Sequence, residues 1–265
     1  RILQLRGALR QLRPDAVIAF MDETAVMMTL AAQGTDIPVI TALRAEPSGP
    51  DLNGIWRRLR VPVYRYLSDA VVVQTHAGLE QASALFPGAP LHCIGNPLPD
   101  LPPARPMTGR RPIIASAGRL IPSKGFDLLI EAFSRSRYRQ LGWQLRIHGE
   151  GPERRRLEDK IAELSLADVV ELPGFSADVH ALMGEAAIFA FASRSEGFPN
   201  ALLEAAAMGC ACVSTDCNTG PREILDHGRL GLLVPVDDRS AMTDALDRLM
   251  GDFVLRTELG AHWPG

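Results

Sequence analysis

Two carboxylates and two cations stand out by type and spacing. Glu196 and Glu204 bracket the run Gly197-Phe198-Pro199-Asn200-Ala201-Leu202-Leu203. Earlier in the chain, Arg119 and Lys124 flank a short loop that ends on Gly125. Carboxylates accept hydrogen bonds from hydroxyl groups, so one glutamate suits the hydroxyls of a sugar and the other those of a ribose. An arginine fork beside a lysine point charge suits a diphosphate. Lys124 is one of only two lysines, against 26 arginines, and it falls in this loop. Pro199 fits the first turn of a helix, where its missing N–H costs nothing. The backbone N–H groups around Phe198, Asn200, Ala201 and Leu202, at the positive end of that helix, would then face an anion.

These residues need a scaffold that brings them to one edge. Apolar runs at 16–20, 38–43, 70–74 and 91–95 read as strands, alternating with helices over 1–13, 23–33, about 52–67 and 76–86. A second series of strands at 113–117, 144–148, 169–172, 188–192, 211–215 and 231–235 interleaves with helices near 125–137, 152–164, 200–208 and 239–250. Such alternation predicts an α/β protein of two Rossmann-like domains with parallel sheets. Five prolines between 96 and 111 exclude a helix or central strand there. The expected division is a first domain over 1–103, a linker over 104–111 and a second domain over 112–265. Because a helix precedes the first strand, the first domain is expected to be incomplete, and a further helix is expected near 262–265. In open parallel sheets, ligands bind beyond the carboxyl ends of the strands. Gly118-Arg119, Gly149, Gly174 and the 193–200 segment all follow such ends, on one rim of the second sheet.

Composition excludes several classes. The 265 residues are 46% hydrophobic and 22% charged, ordinary for a packed protein. No apolar run reaches the roughly 18 residues of a membrane span. Residues 1–111 carry 12 basic and 9 acidic side chains, and the rest carry 16 and 22. That balance lacks the large basic face of a nucleic-acid binder, so no nucleic-acid partner is expected. Cys210, Cys212 and Cys217 read as buried reduced thiols rather than a metal site, which fits a cytoplasmic protein. Gly149-Glu150-Gly151 lacks the third glycine of a dinucleotide fingerprint, which argues against a dehydrogenase.

The run Glu196 to Glu204 resembles the Glu-x7-Glu motif of family 4 glycosyltransferases, the retaining nucleotide-sugar enzymes of group 1 type with the GT-B fold. Gly118-Arg119-Leu120 with Lys124-Gly125, His148-Gly-Glu-Gly-Pro152, Asp216 through Leu225, and Gly228 through Pro235 are similar to four further motifs, in the family's order. The resemblance implies that Arg119 and Lys124 hold a donor diphosphate. It assigns the transferred sugar to Glu196, the ribose to Glu204, and the phosphates to the Phe198–Leu202 amides. Loops near Gly149 and Gly174 would border the base. The implied reaction moves a sugar from a nucleotide-sugar donor, preferably a UDP-sugar, to a glycan or lipid-linked acceptor with retention of configuration. The nucleotide-sugar is a substrate, and no cofactor is expected. No Asp-x-Asp occurs in the chain, so no essential metal is expected. Two alternatives stay open: a nucleotide-binding fragment without turnover, and a GT-B nucleotide-sugar epimerase or hydrolase. Trp56 through Tyr66 is basic with aromatics and suits either a solvated helix or a peripheral contact with the inner membrane face, although Pro62 is expected to break a long amphipathic face.

Overall fold

The computed structural model describes residues 1–49, 54–176 and 178–261, and the chain forms two compact units. The first comprises residues 1–96 together with the short segments 196–198 and 218–220, and the second comprises the remainder.

The first unit runs α1 (Ile2–Leu12), β1 (Val17–Phe20), α2 (Asp22–Ala32), β2 (Val39–Ala42), α3 (Gly54–Tyr66), β3 (Ala70–Val73), α4 (His76–Leu85) and β4 (Leu91–Cys93). Its strands pair in parallel in the order β1-β2-β3-β4, with Val17 opposite Val39, Ile40 opposite Ala70 and Val71 opposite Leu91. Val26, Val39, Val63, Val71 and Phe86 form its apolar core. Tyr64 is buried in it and donates its hydroxyl to Asp22 Oδ1 at 2.9 Å, while Arg60 Nη1 donates to the same oxygen at 3.2 Å. Burial, and then the Asp22 charge, push the Tyr64 phenol far above its ordinary range. As the expected helix over about 52–67 requires, α3 runs through Pro62 without a break. Pro62 lies on the exposed side of the helix, where water can serve the carbonyl that proline leaves without a donor. Residues 52 and 53 of the expected helix lie outside the described residues, as does the helix expected near 262–265.

The second unit runs β5 (Arg111–Ala117), α5 (Phe126–Arg135), β6 (Gln144–His148), α6 (Arg154–Glu163), β7 (Val170–Gly174), α7 (Val179–Glu185), β8 (Ala186–Phe191), α8 (Asn200–Ala207), β9 (Ala211–Thr215), α9 (Pro221–Ile224), β10 (Gly231–Val234), α10 (Arg239–Gly251) and α11 (Phe253–Ala261). All six strands are parallel in the order β10-β9-β8-β5-β6-β7. Ile114 lies opposite both Leu145 and Ile188, and Cys212 opposite Gly231. Phe133, Leu145, Ile147, Ile188 and Leu246 are fully buried between sheet and helices. The short helices α7 and α9 and the C-terminal α11 were not expected. Strand β7 continues through Pro173 to Gly174 rather than stopping at Leu172, because β7 is an edge strand, where a missing donor breaks no ladder.

Arg110, just before β5, donates to the carbonyls of Met183 and Ala186 at 2.8 Å each. It also donates to the Cys210 sulfur at 3.4 Å. Cys210, Cys212 and Cys217 are buried and form no disulfide among the described residues. Burial pushes the Cys210 thiol up to about 11 and raises Cys212 well above its ordinary value.

Candidate functional site

The strand order of the second unit changes direction at β5 and β8, since β6 and β7 lie on one side and β9 and β10 on the other. A crevice beyond the carboxyl ends of the strands follows from that reversal. A cavity of about 510 Å³ occupies this place. Ala117, Gly118 and Arg119 line it from the end of β5, and His148, Gly149 and Glu150 from the end of β6. Phe175 and Ser176 after β7, Val179 of α7, and Asn200, Ala201 and Glu204 of α8 complete the wall.

Backbone bonds lace these loops together. Gly118 N–H donates to His148 O and Gly149 N–H to Gly174 O, each at 2.9 Å. Leu120 N–H donates to Glu150 O at 2.8 Å. Gly149 has φ +150°, and a Cβ there would overlap the Gly118 carbonyl oxygen. The contact between the β5 and β6 loops therefore requires glycine at this position.

A second junction holds the lysine loop. Pro122–Lys124 forms a single 3-10 turn closed by Gly125 at φ +63°, where a Cβ would collide with the Ala192 carbonyl. Arg194 N–H donates to Ser123 O at 2.7 Å. Its guanidinium spans both Asp127 oxygens at 3.0 and 3.1 Å and meets Asp237 Oδ1 at 2.7 Å. It also donates to the Pro122 carbonyl. Partial burial alone would raise the Asp127 carboxyl, but hydrogen bonds from Arg194 and its charge outweigh this and hold it below the usual range. Lys124 Nζ lies 5.6 Å from the centre of the Phe191 ring. The Lys124 stem runs close enough to Gly118 that a Cβ there would sit 3.7 Å from Lys124 Cδ.

Three polar groups shape the cavity wall. Arg154 grips Glu150 by two bonds of 2.7 and 2.8 Å and keeps its carboxyl below the ordinary value. Burial, with the nearby Arg146 charge, lowers the pKa of His148, whose buried Nδ1 has no hydrogen-bond partner among the described residues. Glu204 Oε2 lies 3.0 Å from His180 Nε2.

Of the residues singled out by sequence, Gly118, Arg119, Gly149, Asn200, Ala201 and Glu204 come together on the cavity wall. Lys124 flanks the wall beside Gly118, and Gly174 supports it by accepting from Gly149. Pro199 sits one residue before α8, and its carbonyl accepts from Leu202 N–H at 3.0 Å and Leu203 N–H at 3.2 Å. The Leu202 amide is thus used inside the helix, and its side chain is fully buried. Glu196 and Phe198 fall in the first compact unit and do not line the cavity. Sequence reasoning gave no role to Arg194 or His180. The residue Asp178, whose Oδ1 accepts from Ala181 N–H at 2.8 Å, is a helix-capping signal that would have located α7 and the histidine on it.

A family model described as glycosyl transferases group 1 matches residues 111–252. An exopolysaccharide phosphotransferase of Streptomyces coelicolor is 36% identical over 97% of this chain and 27% of its own length. A Campylobacter jejuni N-acetylgalactosaminyltransferase, named for a diphospho-undecaprenol acceptor, is 40% identical over 54% of this chain and 38% of its own. The chain therefore spans well under half the length of these relatives. Among solved structures, S. aureus TarM superposes with a TM-score of 0.87 at 18% identity, covering 98% of this chain and 53% of TarM. Anabaena HepE in complex with UDP-glucose gives 0.83 at 18% identity, covering 98% and 76%. These superpositions identify the fold as GT-B.

Proposed function

Because the chain belongs to the glycosyl transferases of group 1, we propose that it uses a nucleotide-sugar, preferably a UDP-sugar, as the donor for transfer to a glycan or lipid-linked acceptor. The observation that carries this reading is the cavity at the β5/β8 reversal, whose wall combines Arg119, paired glycine loops, the start of α8 and Glu204. Arg119 and Lys124 would hold the diphosphate, with Asn200 and Ala201 at the helix start completing the anion site. Glu204 would accept the ribose hydroxyls, and the loops at Gly149 and Gly174 would border the base. Breaking the bond between the sugar and the diphosphate builds negative charge on the leaving phosphate and positive charge on the sugar. Cations at Arg119 and Lys124 stabilise the first, and the carboxylate of Glu196 the second. Retention of configuration and independence of a metal belong to the same proposal.

The UDP-glucose complex of HepE and the diphospho-undecaprenol acceptor of the Campylobacter enzyme support UDP-sugars and lipid-linked acceptors as the classes to test first. Among the described residues, no helix is long and apolar enough to cross a membrane. Peripheral contact with the cytoplasmic membrane face is proposed through α3. Ile55, Leu59 and Tyr66 are exposed on that helix, as are Arg58 and Arg65. Flotation with anionic vesicles at low salt tests that contact, and recovery of all protein in the pellet would refute it. Calorimetric titration with UDP, GDP and ADP, with and without EDTA, tests the donor site. Micromolar binding of one nucleotide that EDTA leaves unchanged is expected, and loss of that binding with EDTA would refute metal independence. Loss of transfer in Glu196→Gln and Lys124→Ala, in a chain of full length, is expected. Unchanged turnover would remove both residues from the mechanism.

A further inference from the structure

His180 stands behind the cavity wall. Val179, its neighbour on α7, lines the cavity together with Glu204, whereas His180 reaches Glu204 itself through Nε2 at 3.0 Å from Oε2. The two side chains are 28% and 18% exposed, so water competes only in part for this bond. Among the described residues, no arginine or lysine forms an ion pair with Glu204. Histidine supplies the hydrogen-bond donor.

A carboxylate has several acceptor directions on two oxygens. One bond to Oε2 fixes the plane of the group and leaves Oε1 for a ligand. Fixing the rotamer before the ligand arrives removes an ordering cost from binding. Asp178 caps α7 and anchors the helix that carries the imidazole.

We propose that His180 is a positioning residue that orients the Glu204 carboxylate toward a vicinal diol, making the pair the determinant that distinguishes ribose from a sugar without those hydroxyls. The proposal rests on the reading of the cavity as a nucleotide site. It adds to that reading a residue that touches no ligand and acts only through Glu204.

The test compares calorimetric affinities for UDP and 2′,3′-dideoxyuridine diphosphate in the wild-type chain, His180→Ala and His180→Gln. Hydrogen bonds to a charged acceptor predict that the wild type prefers UDP by about tenfold or more. His180→Ala is expected to reduce that preference to about threefold or less by weakening UDP alone. His180→Gln keeps an N–H donor of similar reach and is expected to restore the preference. An undiminished preference in His180→Ala would overturn the positioning role while leaving the nucleotide site intact. Equal weakening of both ligands would reduce His180 to a structural part and overturn the proposal likewise. If the wild type bound both ligands equally, the ribose assignment of Glu204 would fall. If it bound neither, the donor-site reading and this inference would fall together.

Discussion

The two parallel sheets present loops at equivalent strand ends but hold them by different means. In the second unit every residue of β8 and β9 is buried, and the strand-end loops of that sheet are joined by close backbone approaches at Gly149, between the β5 and β6 loops, and at Gly125, and by the Arg194 clamp. In the first unit β1 leaves Ile18 59% and Phe20 50% exposed. In the strand-end loops there, backbone bonds from Leu43 to Val72 and from Ile94 to Val73 are supplemented by side-chain bonds: Arg44 Nη1 donates to Asn96 Oδ1 at 2.9 Å, and the Gln74 amide donates to the same oxygen. Backbone-to-backbone contact fixes position within tenths of an ångström, whereas exposed side-chain bonds can exchange with water. The rim proposed to hold a diphosphate is the one built rigidly, as binding a dense anionic group with preorganised donors requires.

Glycine replacements should expose this contrast most strongly. Gly125→Ala combines a left-handed backbone with a collision against Ala192 O, and should cost about 3 kcal/mol or more. Gly34 in the first unit also has positive φ, +77°, but a Cβ there meets nothing within 4 Å, so Gly34→Ala should cost about 1 kcal/mol. Denaturant unfolding of both variants measures the difference, and equal costs would erase the contrast.

Arginine replacements should follow the same order with smaller size. Arg194→Ala leaves Asp127 without its bidentate partner and should cost about 2 kcal/mol. It should also weaken UDP about tenfold while changing uridine affinity little, if the clamp serves the diphosphate loop. Arg44→Ala, in the exposed network, should stay within about 0.5 kcal/mol. Thermal melts of the pair, with titrations of UDP and uridine, decide both points.

The smallest expected effect is a pH dependence confined to the second unit. Burial keeps the folded-state pKa of His148 below its ordinary value. Its contribution is therefore fully present above the unfolded-state pKa of about 6.5 and is lost as pH falls from there toward the folded value, because the unfolded chain then binds the extra proton. Melting temperature should drop more between pH 7.5 and 5.5 in the wild type than in His148→Gln. Parallel curves would assign the acid sensitivity elsewhere.

Apolar patterning was enough to place every described strand, as an uninterrupted run in β8 and as alternation in β6. The strand-end rule was enough to place Gly118, Arg119, Gly149 and Asn200 on one wall. The proline signal misled at Pro173, which costs little on an edge strand. Helix α7 was hidden because it has only seven residues and passes into β8 with no intervening loop. With it went His180, whose partner lies 24 residues further on. Arg194 was visible as a residue but not as a clamp, because Asp127 and Asp237 are 67 and 43 positions away in sequence.

The buried thiols make the chain a convenient host for spectroscopic probes. Cysteine reacts as thiolate, and Cys210 and Cys212 are both shielded and driven toward the thiol form. Cys217 is buried as well, which leaves the half-buried Cys93 as the natural target for a maleimide dye. A Cys93→Ser background carrying Ser176→Cys would then take one fluorophore at the rim of the cavity, and its emission would follow occupancy in real time.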